Sequence, residues 1–388
     1  MRLIEKDKDI RGIELALTRR AHEVADFGIT DATERRNWRE RIEEASDGRN
    51  TVKYNKENMP GIYVRMPSKR QSALDSQFPD QIHPAFIVNS NIYDEFLPAK
   101  YQGYRVDKNG TKYALSLRGV NPTVNIDFDE SVAACENNAA NGFHLISNAE
   151  WSFIALYSMM QGFEARGNTN YGKSHERGDE TGRPASQDTG SGDIDRTKTG
   201  SGPRAWSHDG SPYGIFDMVG NVREWCGGFR LDGGEIQVIA DNDTADGQTD
   251  QSVNGPWKAI LQDGSLVAPG TADTLKYDAT AADGGNAQLD IKIDNQLAGG
   301  DNTNNYFDST EVDGAVTVPD LAKLLCIYPT SKAFSNGRIY TRNYDERLCY
   351  RGGRWGYGSA AGLLYSHLSN GRGYSRSGIG FRPAYVNL

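Results

Sequence analysis

Residues 350–388 concentrate a chemistry that the rest of the chain lacks. They hold five arginines (Arg351, Arg354, Arg372, Arg376, Arg382), no Lys and no acid, with nine Gly, five Tyr and five Ser and no Glu, Gln or Met. Tyrosine supplies broad amphipathic contact area at low entropy cost, arginine supplies forked hydrogen bonds and stacking, and Gly and Ser let the backbone adapt. That is the palette of a binding surface. A Gly-rich strand-and-turn segment and an RGG-type RNA-binding segment use the same residues. The apolar residues Trp355, Leu363, Leu364, Leu368, Ile379 and Phe381 read as core anchors, which a disordered RNA segment would not carry. Gly371-Arg-Gly-Tyr-Ser-Arg-Ser-Gly lacks both the GxGxxG spacing of a phosphate loop and a helix after it. An ordered site displayed at the surface is therefore the preferred reading.

Other reactive side chains are scattered. Cys135, Cys226, Cys326 and Cys349 form no CxxC pair, so they read as buried reduced thiols. His22, His83, His144, His175, His208 and His367 stand singly, and only His367 lies within the Arg/Tyr segment. A net charge of −9 argues against wholesale binding to nucleic acid or an anionic membrane, because both need a basic face. No run approaches a spanning helix, and Met1-Arg-Leu-Ile-Glu-Lys-Asp-Lys alternates charge where a signal peptide would be apolar. The expectation is a soluble chain made in the cytoplasm.

The elements that must position the Arg/Tyr segment are short. Helical periodicity is confined to the first fifty residues, which read as two helices; residues 50–80, with Pro60, Pro67 and Pro79, read as an irregular connector. Residues 1–81 are thus expected to form a helical arm and connector, and 82–388 a compact domain. Strand-like runs begin at Ala85, Tyr101 and Tyr113. Asp127 or Asp129 can cap a helix over 131–136, and Ser147 or Asn148 a second from Ala149. Short strands with two helices indicate an α+β fold. Residues 162–212 form a long polar loop, functional or mobile, that includes Gly190-Ser-Gly-Asp. Residues 228–345, with Asp-Gly and Gly-Gly turns, read as a β-rich insertion whose aspartates match no calcium loop of the D-x-D-x-D-G type.

Three segments in order carry a resemblance: Gly142-Phe-His-Leu-Ile-Ser-Asn-Ala-Glu-Trp-Ser-Phe, Tyr213-Gly-Ile-Phe-Asp-Met-Val-Gly-Asn-Val-Arg-Glu-Trp-Cys, and Arg351-Gly-Gly-Arg-Trp with Gly380-Phe-Arg-Pro. Together they are similar to the formylglycine-generating-enzyme (sulfatase-modifying factor) branch of the C-type lectin fold. The stretch from Leu348-Cys-Tyr-Arg-Gly-Gly to Ile379-Gly-Phe-Arg-Pro-Ala more particularly resembles the variable region of proteins diversified by retroelements, among them phage tail receptor-binding proteins and surface-displayed lectin-like proteins. Such diversification mutates adenines in Asn-type codons and reaches Tyr, Ser, Gly, Arg, His, Ala and Asp but not Lys, Glu, Gln or Met, which fits the composition of the segment.

The resemblance implies a lectin fold that binds a ligand, with no catalysis and no required cofactor. Carried over by position, the variable residues are Arg354, Gly356, Tyr357, Ser359, Ala360, Tyr365, His367, Ser369, Gly373, Tyr374, Arg376, Ser377 and Gly378. It also implies a structural calcium held by Asp217 and Glu224 with the carbonyls of Gly220 and Val222; the other reading pairs these carboxylates with the local loop, Arg223 or Arg382. The implied partner is a protein or glycan on a target cell, with the N-terminal arm docking into a virion or tail assembly. The alternative is a metal-dependent oxidase of the same fold. The family's copper is bound by two cysteines after Arg-Gly-Gly-x-Trp, and no cysteine follows Cys349.

Overall fold

The computed structural model describes residues 2–139, 142–187 and 192–388, with residues 2–8 as backbone only. Met1, and Gly190 and Ser191 of the polar loop, lie outside the described residues. Helices α1 (Arg2–Glu23) and α2 (Ala32–Ala45) occupy the first fifty positions, and α2 begins where the Asp31 carboxylate accepts from the N–H groups of Thr33 and Glu34. These helices do not stand off as an arm. Ile10, Leu17 and Ile42 are buried with Tyr101, Trp206, Tyr213 and Phe216. Glu14, fully buried, accepts from Lys100 Nζ and Tyr101 Oη, each at 2.6 Å. Lys100 donates further to Asn50 Oδ1 and Pro212 O, both at 2.8 Å, so each of its protons has an acceptor. A buried carboxylate and ammonium persist only when paired in this way. The described side chains of α1 and α2 thus pack directly on the body of the protein, where an arm was expected.

The expected connector contains a hairpin, β1 (Asn50–Tyr54) with β2 (Pro60–Val64), in antiparallel register Val52↔Ile62. Pro60 starts its strand, a position that proline tolerates. Short strands β3 (Met66–Pro67), β4 (Glu95–Pro98) and β5 (Phe143–Leu145) follow. Helix α3 (Phe128–Glu136) is capped by Asp127. Helix α4 (Asn148–Met160) is capped by Ser147, whose hydroxyl accepts from the Glu150 N–H while the Glu150 carboxylate accepts from the Ser147 N–H. It is apolar on nearly every face, and Trp151, Phe153 and Ile154 are fully buried in the main core.

Nine further strands complete the frame: β6 (Arg223–Asp232), β7 (Glu235–Val238), β8 (Lys276–Ala281), β9 (Gly284–Asp290), β10 (Arg338–Thr341), β11 (Glu346–Gly352), β12 (Gly362–Leu368), β13 (Ile379–Phe381) and β14 (Pro383–Tyr385). Among the described residues the large sheet has twelve strands and runs β10-β12-β11-β6-β7-β8-β9 through its middle, with β13 parallel to β6. The block 228–345 is thus continuous with the sheet and not a separate body: β6 leads into it, β7 to β9 widen the sheet on one side, and β10 pairs with β12 on the other. A second sheet has the order β3-β4-β14-β5. The fold is α+β, with one large curled sheet covered by α4.

Candidate ligand-binding site

Strand register places rings in a row across the large sheet. Trp225 on β6 lies opposite Tyr350 on β11, Tyr350 opposite His367 on β12, and His367 opposite Tyr340 on β10. The His367 ring stacks between the two tyrosines, 4.5 Å from Tyr350 and 4.9 Å from Tyr340, and Trp225 meets Tyr350 edge-on at 4.9 Å. Such cross-strand aromatic pairs stiffen a sheet face. Tyr365, two residues from His367 and so on the same face, is fully buried. Burial, with Arg223 and Arg342 nearby, holds His367 well below the usual imidazole range, so this ring is neutral. Arg223 of β6 lies over this floor, its guanidinium 5.0 Å from the Tyr350 ring and 5.7 Å from that of Tyr357.

Two irregular segments rim the floor, and their backbones are tied to the frame. In the turn after β11, the Trp355 N–H donates to Asn221 O, the Gly358 N–H donates to Thr169 O at 2.9 Å, and Trp355 O accepts from the Tyr171 N–H at 2.8 Å. In the loop before β13, Arg372 O and Arg376 O accept from the N–H groups of Phe128 and Asn125, both at 3.1 Å. Main-chain bonds of this kind are indifferent to the side chains that the segments carry. The apolar anchors Trp355, Leu363, Leu364, Leu368, Ile379 and Phe381 are all buried beneath them.

The thirteen positions proposed as variable fall into two groups. Gly373, Arg376 and Ser377 are exposed, and Arg354, Gly356, Tyr357, Ser359, Ala360, His367 and Tyr374 are half-buried along the rim and floor. Arg354 lies over Tyr357 at 4.7 Å and Arg376 over Tyr374 at 5.0 Å, while Ser359 hydrogen-bonds Tyr306 Oη at 2.8 Å. Tyr365, Ser369 and Gly378, by contrast, are buried and cannot be displayed. A side chain at Gly378 would press on Arg354 and Trp355. Sequence reasoning missed Tyr171, Tyr306, Tyr340 and Arg223, which join the site from outside the 350–388 segment. Only Arg223, within a quoted motif, carried a signal.

The five arginines of the segment do not form one cationic face. Arg351 and Arg382 are fully buried: Arg351 donates to Asn148 Oδ1 at 2.6 Å, and Arg382 grips Glu224 with two bonds of 2.8 Å. Arg372 pairs with Glu346 and Asp129. Arg354 and Arg376 alone of the five present unneutralised charge at the rim. Burial pushes the Tyr357 phenol up, but Arg223 and Arg354 more than offset this and leave it below its ordinary value.

The implied calcium residues are brought together in a form that does not fit a cation. Both Glu224 oxygens are taken by Arg382, and Gln102 Nε2 donates to Glu224 Oε1 and to the carbonyls of Asp217 and Val222, all within 3.0 Å. The amide and guanidinium donors fill the positions that a metal would need. Asp217 Oδ2 accepts from the Gly200 N–H, and its other oxygen is buried without a partner. Burial raises this carboxyl to about 6, against the attraction of Arg382 and Arg118. Elsewhere, Asp278, Asp290 and Asp294 cluster, but Asp278 and Asp290 accept from nearby backbone N–H groups. The four cysteines are buried and unpaired, and burial pushes each thiol up, which keeps it protonated.

Residues 75–247 match the sulfatase-modifying factor enzyme 1-like domain. The match covers a little under half of the chain and contains α3, α4 and the motif that carries Arg223 and Glu224. Comparison with curated proteins finds no match. Among solved structures, the chain is similar to Treponema denticola variable protein 1 at 12% identity and a TM-score of 0.34, covering 87% of this chain and 98% of that one. It is also similar to the Major Tropism Determinant P3c variant, at 13% identity and a TM-score of 0.29, covering 85% of this chain and 65% of that one, and to the U1 variant, at 11% and 0.29, covering 86% and 70%.

Proposed function

We propose that this chain is a receptor-binding protein whose lectin-type frame displays side chains varied by a retroelement, the display face being the aromatic floor with its two rims. One observation carries the reading. The rim backbones are held by main-chain hydrogen bonds to Asn125, Phe128, Thr169, Tyr171 and Asn221, and by buried anchors, so the side chains at 354, 356, 357, 359, 360, 373, 374, 376 and 377 can change without loss of the frame. Among the described residues the site offers contact area and charge but no activated nucleophile and no thiolate pair, which favours binding over the oxidase chemistry of the matched family. The target is a surface on a cell, and the protein acts as part of a virion or a similar multivalent assembly, because a shallow site gains most from display in several copies.

The test is cell binding by an artificially multimerised form, compared with a variant carrying Arg354→Ser, Tyr357→Ser, Tyr374→Ser and Arg376→Ser. The parent should bind target cells well above the monomer, and the variant, still folded by circular dichroism, should lose that binding. Equal binding by the two would move the site to another face.

A further inference from the structure

Resting on that reading, we infer that the display face is built to take carboxylate side chains from an acidic protein surface, and that Arg223 supplies a positive charge common to every version of the face. Arg223 belongs to β6 and so lies outside the segment that varies. It is only 6% exposed, its Nη1 donates to Tyr357 Oη and its Nε to Gly378 O, both at 3.3 Å. Among the described residues no carboxylate lies within ion-pair distance of Arg223, Arg354 or Arg376, in a chain whose acids outnumber its bases, 52 to 43. Arg372 and Arg382, from the same segment, both have acid partners. Three guanidinium groups thus lie over tyrosine rings without a counter-ion, and of these the buried Arg223 and half-buried Arg354 gain most from an arriving anion.

The ring faces decide which anion. Arg223 covers Tyr350 and Tyr357, Arg354 covers Tyr357 from 4.7 Å, and Arg376 covers Tyr374. A sugar or a nucleobase binds tyrosine by stacking on the face, and a guanidinium already lies over the rings of Tyr357 and Tyr374. What remains open is the outer edge of the Arg354 and Arg376 guanidinium groups, which a carboxylate meets in a forked geometry, while Arg223, buried beneath them, adds its charge from below. A fixed charge beneath the variable positions biases the whole repertoire toward acidic protein targets.

The experiment uses the multimerised protein on sensors coated with poly-L-glutamate, polyglutamine, polysialic acid or heparin, at salt from about 50 to 300 mM. Binding to polyglutamate should fall with salt and drop at least about tenfold in the Arg354→Gln/Arg376→Gln variant and in Arg223→Met, with recovery in Arg223→Lys. If Arg223→Met fails to fold, the double variant alone carries the test. Polyglutamate binding that is absent or unchanged in the double variant overturns the inference. Preference for polysialic acid or heparin overturns the peptide assignment in favour of an acidic glycan. Cell binding that needs the rim residues but ignores salt and Arg223 would sink this inference and leave the proposed function intact, whereas cell binding indifferent to every rim change sinks that reading itself.

Discussion

At the scale of single residues, Asp217, Glu224 and Arg382 decide whether the acidic loop is a metal site or a hydrogen-bonded one. The Asp217 carboxyl has a folded value of about 6 against 3.8 for the free side chain, so between those pH values the folded state holds a proton that the unfolded state has released. Stability contributed by this group is present at low pH and is lost as pH rises toward 6. Asp217→Asn keeps an acceptor for the Gly200 N–H and removes the buried charge, so at pH 7.5 it should stabilise the protein by up to about 3 kcal/mol, a gain that shrinks below pH 4. Calcium coordination requires the opposite sign, together with a fall in melting temperature on chelation. Denaturant titrations of both proteins, with and without chelator, separate the two. Glu224→Gln, which strands the Arg382 guanidinium, should cost about 3–5 kcal/mol whether or not chelator is present.

At the scale of elements, the sheet face divides positions that the segment's composition lumps together. Tyr365→Ala removes a fully buried ring and should cost about 3 kcal/mol or more in thermal unfolding. Arg376→Ser and Ser377→Ala, at exposed positions, should each stay within about 0.5 kcal/mol. Comparable losses at both sets would mean that the rim is structural. The helices were legible because their signals are local: Asp127 and Ser147 cap α3 and α4 as their types predict, and the apolar run after Ala149 is core. The β1–β2 hairpin was hidden by its proline, since Pro60 marks a strand start as readily as a break. The burial of Arg351 and Arg382 was not legible at all, because Asn148 and Glu224, which satisfy them, lie far away in sequence. The same holds for the block 228–345: its turns were readable, but its continuity with β6, β11 and β12 is a matter of long-range pairing.

At the scale of the whole molecule, the N-terminal helix is tied to the frame by the buried Glu14–Lys100 pair. Glu14→Gln leaves the buried ammonium short of its charge partner and should lower stability by about 3 kcal/mol or more in denaturant unfolding, with α1 lost in the same transition as the sheet. A separate early transition for α1 would restore the idea of an independent arm. One further consequence follows from the place of β14. It pairs with β4 on one side and β5 on the other, Ala384 facing both Pro98 and His144, yet it is made after every position of the proposed display face. A stop or a shift of reading frame anywhere between 350 and 382 therefore deletes the middle strand of a sheet laid down hundreds of residues earlier. Folding itself thus tests whether the chain is intact: a full-length chain closes the sheet, and a shortened or misread one exposes unpaired strands and becomes a substrate for proteolysis.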